Sequence, residues 1–520
     1  HQKKTDLRPN RRKRSCSVIV SGLGQFALGQ AVPNRDHAVC VSLPTVDDLI
    51  GYEEMDPKTL AAMSSGYPRF VQHRFLKELI AHEEQVHSLT AKRSFLFAKL
   101  KHCLDAVEHC AIKNPIIHER DEYIWLELNE GSSDANKIHS FLQHTGGSVS
   151  SRHAEDILTR KGLRVTLENI SEHKNPDRFA REIMAEVHGE GVSPEGVIIT
   201  SSGANAFYSL FRSARDNYVE KGKKIWIQLG WLYLDTIETM KMVGGDENII
   251  TLSNPGNGKE LEKIFATHGN NIAGLVTEFP TNPLLQSCDL DRVRVLCDQA
   301  DALLIVDPTM ASPKNSKVAR FGDVLVNSLT KYASWEGDVM IGSLVFPHDS
   351  KRGMELFEKT KGIVCPPFER DLLRLCEQLP YYPNFVEKTN QSQLRVVEFL
   401  KSSNSVKNVY WAYQKNSANF FRARAGDDKP GCVVSFEVNG DFKSFYNKLE
   451  MLKSPSFGTN FSLCCPYVYL AHYNMMQTPD GLAHLKRAGI SPYLCRLSVG
   501  LEDVDQIILT LQNALQGMKD

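Results

Sequence analysis

The sequence has no Cys-x-x-Cys pair, no apolar run near the ~20 residues that cross a bilayer, and no excess of either charge. Each absence removes a class of function. Its 12 cysteines are scattered through apolar segments of a 520-residue chain. That pattern reads as reduced, buried thiols and not as a disulfide scaffold or a zinc module. The adjacent Cys464-Cys465 pair lies in an apolar stretch and reads as packing. With 61 basic against 62 acidic residues, no net field collects nucleic acid or membrane, and small neutral or zwitterionic substrates suit the balance. The chain opens on a basic stretch in place of a signal peptide, so it reads as soluble and cytoplasmic. His82 and His87 look metal-like, but histidines five apart fall off a common helix face, and no metal is expected.

What is present is an ordinary globular composition, 42% hydrophobic and 24% charged, in a chain long enough for two or three domains. From about residue 190, short β-branched apolar runs alternate with helical segments. Gly196–Thr200, Lys224–Gln228, Ile272–Val276, Ala302–Val306 and Asp323–Val326 read as strands. This alternation predicts an α/β fold with a mainly parallel sheet covered on both faces, and ligands bind such sheets at the carboxyl ends of the strands. We expect a basic, flexible arm over 1–40 and an N-terminal segment over 41–190 with an inserted small α/β subdomain. Within the insert, Arg120–Glu127 reads as a strand and Arg152–Leu158 as a helix. A large domain over 191–345 and a smaller α+β domain over 346–520 complete the division.

The chemistry-bearing residues gather at the predicted strand ends. Lys331 closes the run Asn327-Ser-Leu-Thr-Lys-Tyr332, and Asp307 ends the apolar run Ala302-Leu-Leu-Ile-Val-Asp307. A lysine, two hydroxyls (Ser328 and Thr330) and an acid in this arrangement are what the aldehyde, phosphate and pyridinium nitrogen of pyridoxal phosphate each need. Thr200-Ser-Ser-Gly-Ala-Asn205 opens a helix after a strand, so Ser202, Gly203 and Ala204 suit a phosphate, although Ser-Ser-Gly is also an ordinary helix cap. Taken singly, Lys331 is equally a surface lysine and Asp307 a turn aspartate.

Three stretches, Glu278-Phe-Pro-Thr-Asn-Pro283 with Asp307, Ser328-Leu-Thr-Lys-Tyr332, and Arg496-Leu-Ser-Val-Gly-Leu-Glu-Asp503, resemble the cystathionine γ-synthase family of fold-type I (aspartate-aminotransferase-like) pyridoxal phosphate enzymes. Val41-Ser-Leu-Pro-Thr45, Ile50-Gly-Tyr-Glu-Glu54 and Gly66-Tyr-Pro-Arg-Phe70 are similar to its long, fungal-type branch. The resemblance implies that Lys331 binds the cofactor covalently and that Asp307 holds the ring nitrogen. It also implies that Gly203, Ala204, Ser328 and Thr330 hold the phosphate, that Asn282 sits by the ring's 3-oxygen, and that Arg496 grips the substrate carboxylate beside Ser462. The aromatic that stacks on the ring is Trp231 or Tyr233, the latter with a catalytic role. A Tyr-x-Arg motif that reaches a neighbouring subunit's phosphate is represented either by Tyr67 with Arg69 or by Arg152 in Ser150-Ser-Arg152. A homodimer or homotetramer follows from that sharing.

One departure bears on specificity. Compact members carry Val-Glu-Ser-Leu where this chain reads Asn460-Phe-Ser-Leu463, so Phe461 replaces the acid that pairs the distal amino group of cysteine or cystathionine. The resemblance implies γ-substitution on an O-acylhomoserine (acetyl or succinyl) by a thiol such as cysteine. The alternatives are γ-replacement by sulfide or a non-sulfur nucleophile, a γ-lyase reaction, and a non-catalytic scaffold.

Overall fold

The computed structural model describes residues 21–67, 71–87, 92–129, 133–417 and 419–518. Among the described residues, seventeen strands fall into four sheets. Near the start, β1 (Ala31–Val32) pairs antiparallel with β2 (Cys40–Val41). The insert contains β3 (Lys92–Phe97), β4 (Ile116–Glu119) and β5 (Ile124–Asn129), an antiparallel sheet with β5 in the centre. The predicted strand over Arg120–Glu127 is thus shifted towards the carboxyl end, because Arg120–Tyr123 form the turn between β4 and β5. The predicted helix at 152–158 is the middle of the helix Ser151–Arg160.

The large sheet comprises β6 (Val197–Thr200), β7 (Ile225–Leu229), β8 (Ile249–Leu252), β9 (Ile272–Glu278), β10 (Leu303–Asp307), β11 (Val324–Ser328) and β12 (Gly342–Val345). Their order is β6-β12-β11-β10-β9-β7-β8, all neighbours parallel except those of β12. β9 is buried along its whole length, and its apolar run Ile272–Val276 is what a strand covered on both faces requires. A second sheet, ordered β13-β14-β17-β16-β15, is built from β13 (Val406–Tyr410), β14 (Val433–Val438), β15 (Leu452–Lys453), β16 (Leu463–Pro466) and β17 (Cys495–Ser498). The 21-residue helix Tyr382–Ser402 contacts β13 and β14 of this sheet.

The N-terminal arm departs from the expected flexible segment. Residues 22–43 are strapped to the second sheet: Leu452 N donates to Gly22 O (2.6 Å), Leu43 N to Lys453 O (3.0 Å) and Val41 N to Ser454 Oγ (3.2 Å). Val32, Val39 and Cys40 are buried there, an apolar payload that a charge-based reading of the first forty residues overlooks. Residues 1–20, which hold most of the basic run, lie outside the described residues.

The second sheet docks on the first beside Lys331. Gly458 has φ +72°, its carbonyl accepts from Tyr332 N at 2.9 Å, and a Cβ there would lie 2.6 Å from that same nitrogen. Only glycine satisfies both the left-handed backbone and the close approach. Gly458→Ala is therefore expected to lower stability by about 1–3 kcal/mol, read as an earlier denaturant midpoint of the apoprotein, and an unchanged midpoint would contradict this docking geometry.

Candidate functional site

Parallel strands that end together bring their last residues into one place. Thr200, Glu278, Asp307 and Ser328 close β6, β9, β10 and β11, and a cavity opens there, lined by Ser202, Gly203, Ala204, Tyr233, Glu278, Asn282, Asp307, Ser328, Thr330, Lys331 and Tyr67. Most of the residues singled out in the sequence therefore meet at one point.

One wall is the start of the helix Gly203–Glu220. Ser202 is its N-cap, with Oγ accepting from Asn205 N at 3.0 Å, which leaves the first-turn N–H groups of Gly203 and Ala204 at the positive end of the helix dipole. A Cβ on Gly203 would lie 2.9 Å from Ser328 Cβ, so the glycine lets the helix start approach the end of β11. Thr330 Oγ1 is shared with Ile341, accepting from its N at 3.1 Å. These groups form an anion cradle.

On the opposite side stand two acids. Asp307 and Glu278 are register partners on parallel β10 and β9. Burial pushes the Asp307 carboxyl up to about 6, against the hydrogen bonds from Thr309 and the attraction of Lys331. Burial, then Asp307 itself, push Glu278 well above the carboxylate range, opposed by N–H donation from Tyr233 (2.5 Å) and Asn282 (3.0 Å) and by Arg496. A buried acid in this position is relieved by a protonated ring nitrogen. Lys331 Nζ lies 2.9 Å from Tyr67 Oη, and Lys331 is 9% exposed.

Arg496, on β17, approaches the lining of this cavity from the second sheet through Asn282. It donates to Asn282 Oδ1 (3.0 Å) and Ser456 O (3.2 Å), and among the described residues its Nε is buried with no hydrogen-bond partner. Ser456 Oγ beside it is likewise buried without a partner, on a backbone with φ +114°. Two orphaned polar atoms and a fork of N–H groups fit a carboxylate. The cavity thus fits a phosphate, a cationic ring nitrogen, a carbonyl carbon within a lysine's reach and an amino-acid carboxylate, the donor set pyridoxal phosphate and its substrate require.

The structure moves Trp231 and Ser462 away from the cavity and holds Arg152 among acids of its own chain. Trp231 packs among Leu284, Tyr467 and Leu485, with Nε1 donating to His472 Nε2 (3.2 Å), because the turn after β7 points it behind the cavity while Tyr233 lines it. Arg152 is spent within its own chain: it binds Glu168, the Asp338 carbonyl (2.7 Å) and Asp371 (3.3 Å), and Glu168 in turn lies within reach of His37 and Glu155. Ser462 is fully buried one step behind the wall, donating to Glu502 Oε2 (2.7 Å) and accepting from Gly500 N (2.9 Å), so it braces the backbone and does not face substrate. Arg69 lies outside the described residues.

Glu278, Ser456 and Phe457 were given no role by the sequence. For Glu278 a signal existed, an acid ending a continuously apolar strand, the same signal that marks Asp307. The orientation of Ser456 and Phe457 comes from a positive φ that their residue types do not announce. Phe461, the residue at the acid's position, is fully buried with Val32, Val39, Cys40, Tyr67, Leu452 and Leu463 and does not line the cavity. His82 lies on the helix Arg74–Val86, and His87 caps it.

A family model described as "Cys/Met metabolism PLP-dependent enzyme" matches residues 136–516. An "L-2-amino-4-chloropent-4-enoate dechlorinase/desaturase" of Streptantibioticus cattleyicolor is 30% identical over 500 residues, covering 95% of this chain and 99% of that protein. A cystathionine gamma-synthase of Neurospora crassa is 24% identical, covering 94% of this chain and 98% of that protein. The crystal structure of cystathionine gamma synthase from Xanthomonas oryzae pv. oryzae superposes with a TM-score of 0.56 at 24% identity over 66% of this chain and 86% of that one, a likeness of fold.

Because the folded-state pKa of Asp307 is raised, its contribution to stability is present below the unfolded carboxylate value of ~4 and is lost as pH rises through about 6. Asp307→Asn should flatten that part of the apoprotein's stability profile between pH 4 and 7 and weaken cofactor binding, as checked by melting curves across pH. An unaltered profile would contradict the burial of this acid.

Proposed function

The chain belongs to the Cys/Met metabolism PLP-dependent enzymes, and from that premise we propose that it removes the γ-substituent of a small α-amino acid, an O-acylhomoserine, and adds a nucleophile at the same carbon. The observation that carries the reading is that Lys331 and Asp307 line one cavity and that Arg496 is hydrogen-bonded to Asn282 of the same lining. A γ-elimination needs one base that serves two carbons in turn and a fixed substrate carboxylate, and these residues supply both.

Pyridoxal phosphate, when bound, supplies an electron sink conjugated to the substrate's α-carbon, which makes first the α-proton and then a β-proton removable. Lys331 would hold the cofactor, and once its amine is released by substrate it is the group placed to take those protons. Asp307 would hold the ring nitrogen protonated. Gly203, Ala204, Ser328 and Thr330 would hold the phosphate, and Tyr233 would cover the ring. Arg496, fixed by Asn282 and the Ser456 carbonyl, would clamp the carboxylate so that the γ-carbon points to the far wall. Asn282 and Tyr233 are themselves fixed by Glu278.

That far wall favours one refinement. The cavity lining includes Phe457, Met340, Met310 and Phe207, and Phe461, at the position of the acid that the resemblance pairs with a distal ammonium group, is buried behind that lining and brings no carboxylate to it. This supports a substrate and nucleophile without a second amino group, so sulfide or a non-sulfur nucleophile, or elimination with no addition, becomes the second reading. The 30% identical relative, named for a dechlorination and desaturation, supports the same direction.

The test is to supply the purified enzyme with O-acetyl- or O-succinylhomoserine, with and without cysteine or sulfide, and to quantify released acid and amino-acid product. Release of the acid, abolished by Lys331→Ala, is the expected result. Cystathionine formed only when both substrates are present identifies a thiol acceptor, whereas acid release with an unsaturated or keto product identifies the second reading. No release from any γ-substituted amino acid would defeat both. Arg496→Lys should raise KM about 10–100-fold, since a point charge cannot reproduce the guanidinium fork, and steady-state kinetics with the active substrate will read it.

A further inference from the structure

The Tyr67-Pro-Arg69 stretch resembles a motif that touches a neighbouring subunit's cofactor, yet here its tyrosine lies inside its own chain. Tyr67 Oη is 2.9 Å from Lys331 Nζ, and the ring centroid is 4.8 Å from the same nitrogen. Tyr67 is buried. It is carried by the segment that follows β2, which is tied down on both sides: Ser65 Oγ donates to Ala38 O (2.6 Å), Val39 N donates to Gly337 O (2.9 Å), and Val71 N donates to Tyr67 O (3.1 Å).

Beneath the ring lies the apolar cluster of Val32, Val39, Cys40, Leu452, Phe461 and Leu463. Phe461 is its largest member besides Tyr67 and is fully buried, and Gly337 is pressed against it, since a Cβ there would meet Phe461 Cζ at 3.0 Å. An acid at 461 would sit unpaired in this cluster. The phenylalanine at this position thus packs with Tyr67.

We propose that Tyr67 is a catalytic residue that works in cis as the proton partner of Lys331, with Phe461 as the packing residue that holds it there. The proposal rests on the assignment of Lys331 as the cofactor lysine. When Lys331 is an amine, an Nζ–H donates to Tyr67 Oη, which turns the lone pair towards the cavity. When Nζ takes a proton from substrate carbon, the C–H pair stays with the carbon, and the new ammonium makes a charge-assisted bond to Oη. The contact is stronger after the transfer than before it, so it favours the transition state more than the bound substrate. Groups facing Nζ from other elements include Asp307, with Glu278 beyond it, Cys40, whose thiol burial pushes up to about 12, and Arg496 across the Phe457 ring.

The experiment mixes apoprotein with pyridoxal phosphate across pH, follows the visible absorbance as the cofactor is captured, and then measures turnover of the active γ-substituted substrate. Wild type, Tyr67→Phe and Phe461→Ala are compared, with melting curves confirming that each is folded. Tyr67 favours the ammonium form of Lys331, so Tyr67→Phe should move the capture midpoint to lower pH by roughly one unit. It should also lower kcat about 10–100-fold with KM within about threefold, the split expected for an interaction made in the transition state. Phe461→Ala should shift both in the same direction by less, and it decides the question if Tyr67→Phe does not fold. Capture and turnover at wild-type values in both variants would overturn the proposal while leaving the assignment of Lys331 intact. Failure of the wild type to capture the cofactor would overturn that assignment instead.

Discussion

Two acids, Glu278 and Asp307, end neighbouring parallel strands in register, the first buried and the second half-buried. Little water reaches them, so their cost must be met by cations and by backbone N–H groups, and the surroundings of the cavity supply both. Lys331 and Arg496 bring the charges, and Thr309, Tyr233 and Asn282 bring the N–H donors. The pairing is unfavourable for the empty protein and favourable once a cationic ring and a substrate arrive. That is the ordinary way in which a binding site stores a preference for its ligand.

The second sheet completes the surroundings of the cavity. Arg496 enters on β17, Ser456 and Phe457 enter on the loop before β16, and Gly458 locks that loop against Tyr332, the residue next to Lys331. The N-terminal strap closes the same region from outside and delivers Tyr67. Segments as far apart as Tyr67 and Arg496 therefore come together around one lysine. The strap is held by hydrogen bonds to the second sheet and by ion pairs such as Arg35–Asp338 (2.9 Å).

Much of this was legible in the sequence where chemistry coincides with a strand end. Lys331, Asp307, Gly203 and Ser328 stand at the ends of apolar runs, and a parallel sheet must bring such ends together. Tyr233 and Trp231 were not separable, because two residues on a turn differ only in which way the turn faces. Arg152 has partners, Asp338 and Asp371, that lie far along the chain, and nothing in Ser150-Ser-Arg152 points to them. Ser462 failed for a more local reason: β16 begins at Leu463, and the residue before it is held by Glu502 on the side away from the cavity. The strap over 22–43 was hidden by the basic run that precedes it.

The central claim is that Lys331 is the residue that holds the cofactor. Reduction of the cofactor-loaded protein with borohydride, followed by digestion and mass spectrometry, tests it most directly. The account predicts a single reduced pyridoxyl adduct on the peptide containing Lys331, absent from Lys331→Ala. An adduct on a different lysine, or none in protein that carries the cofactor's absorbance, would contradict it.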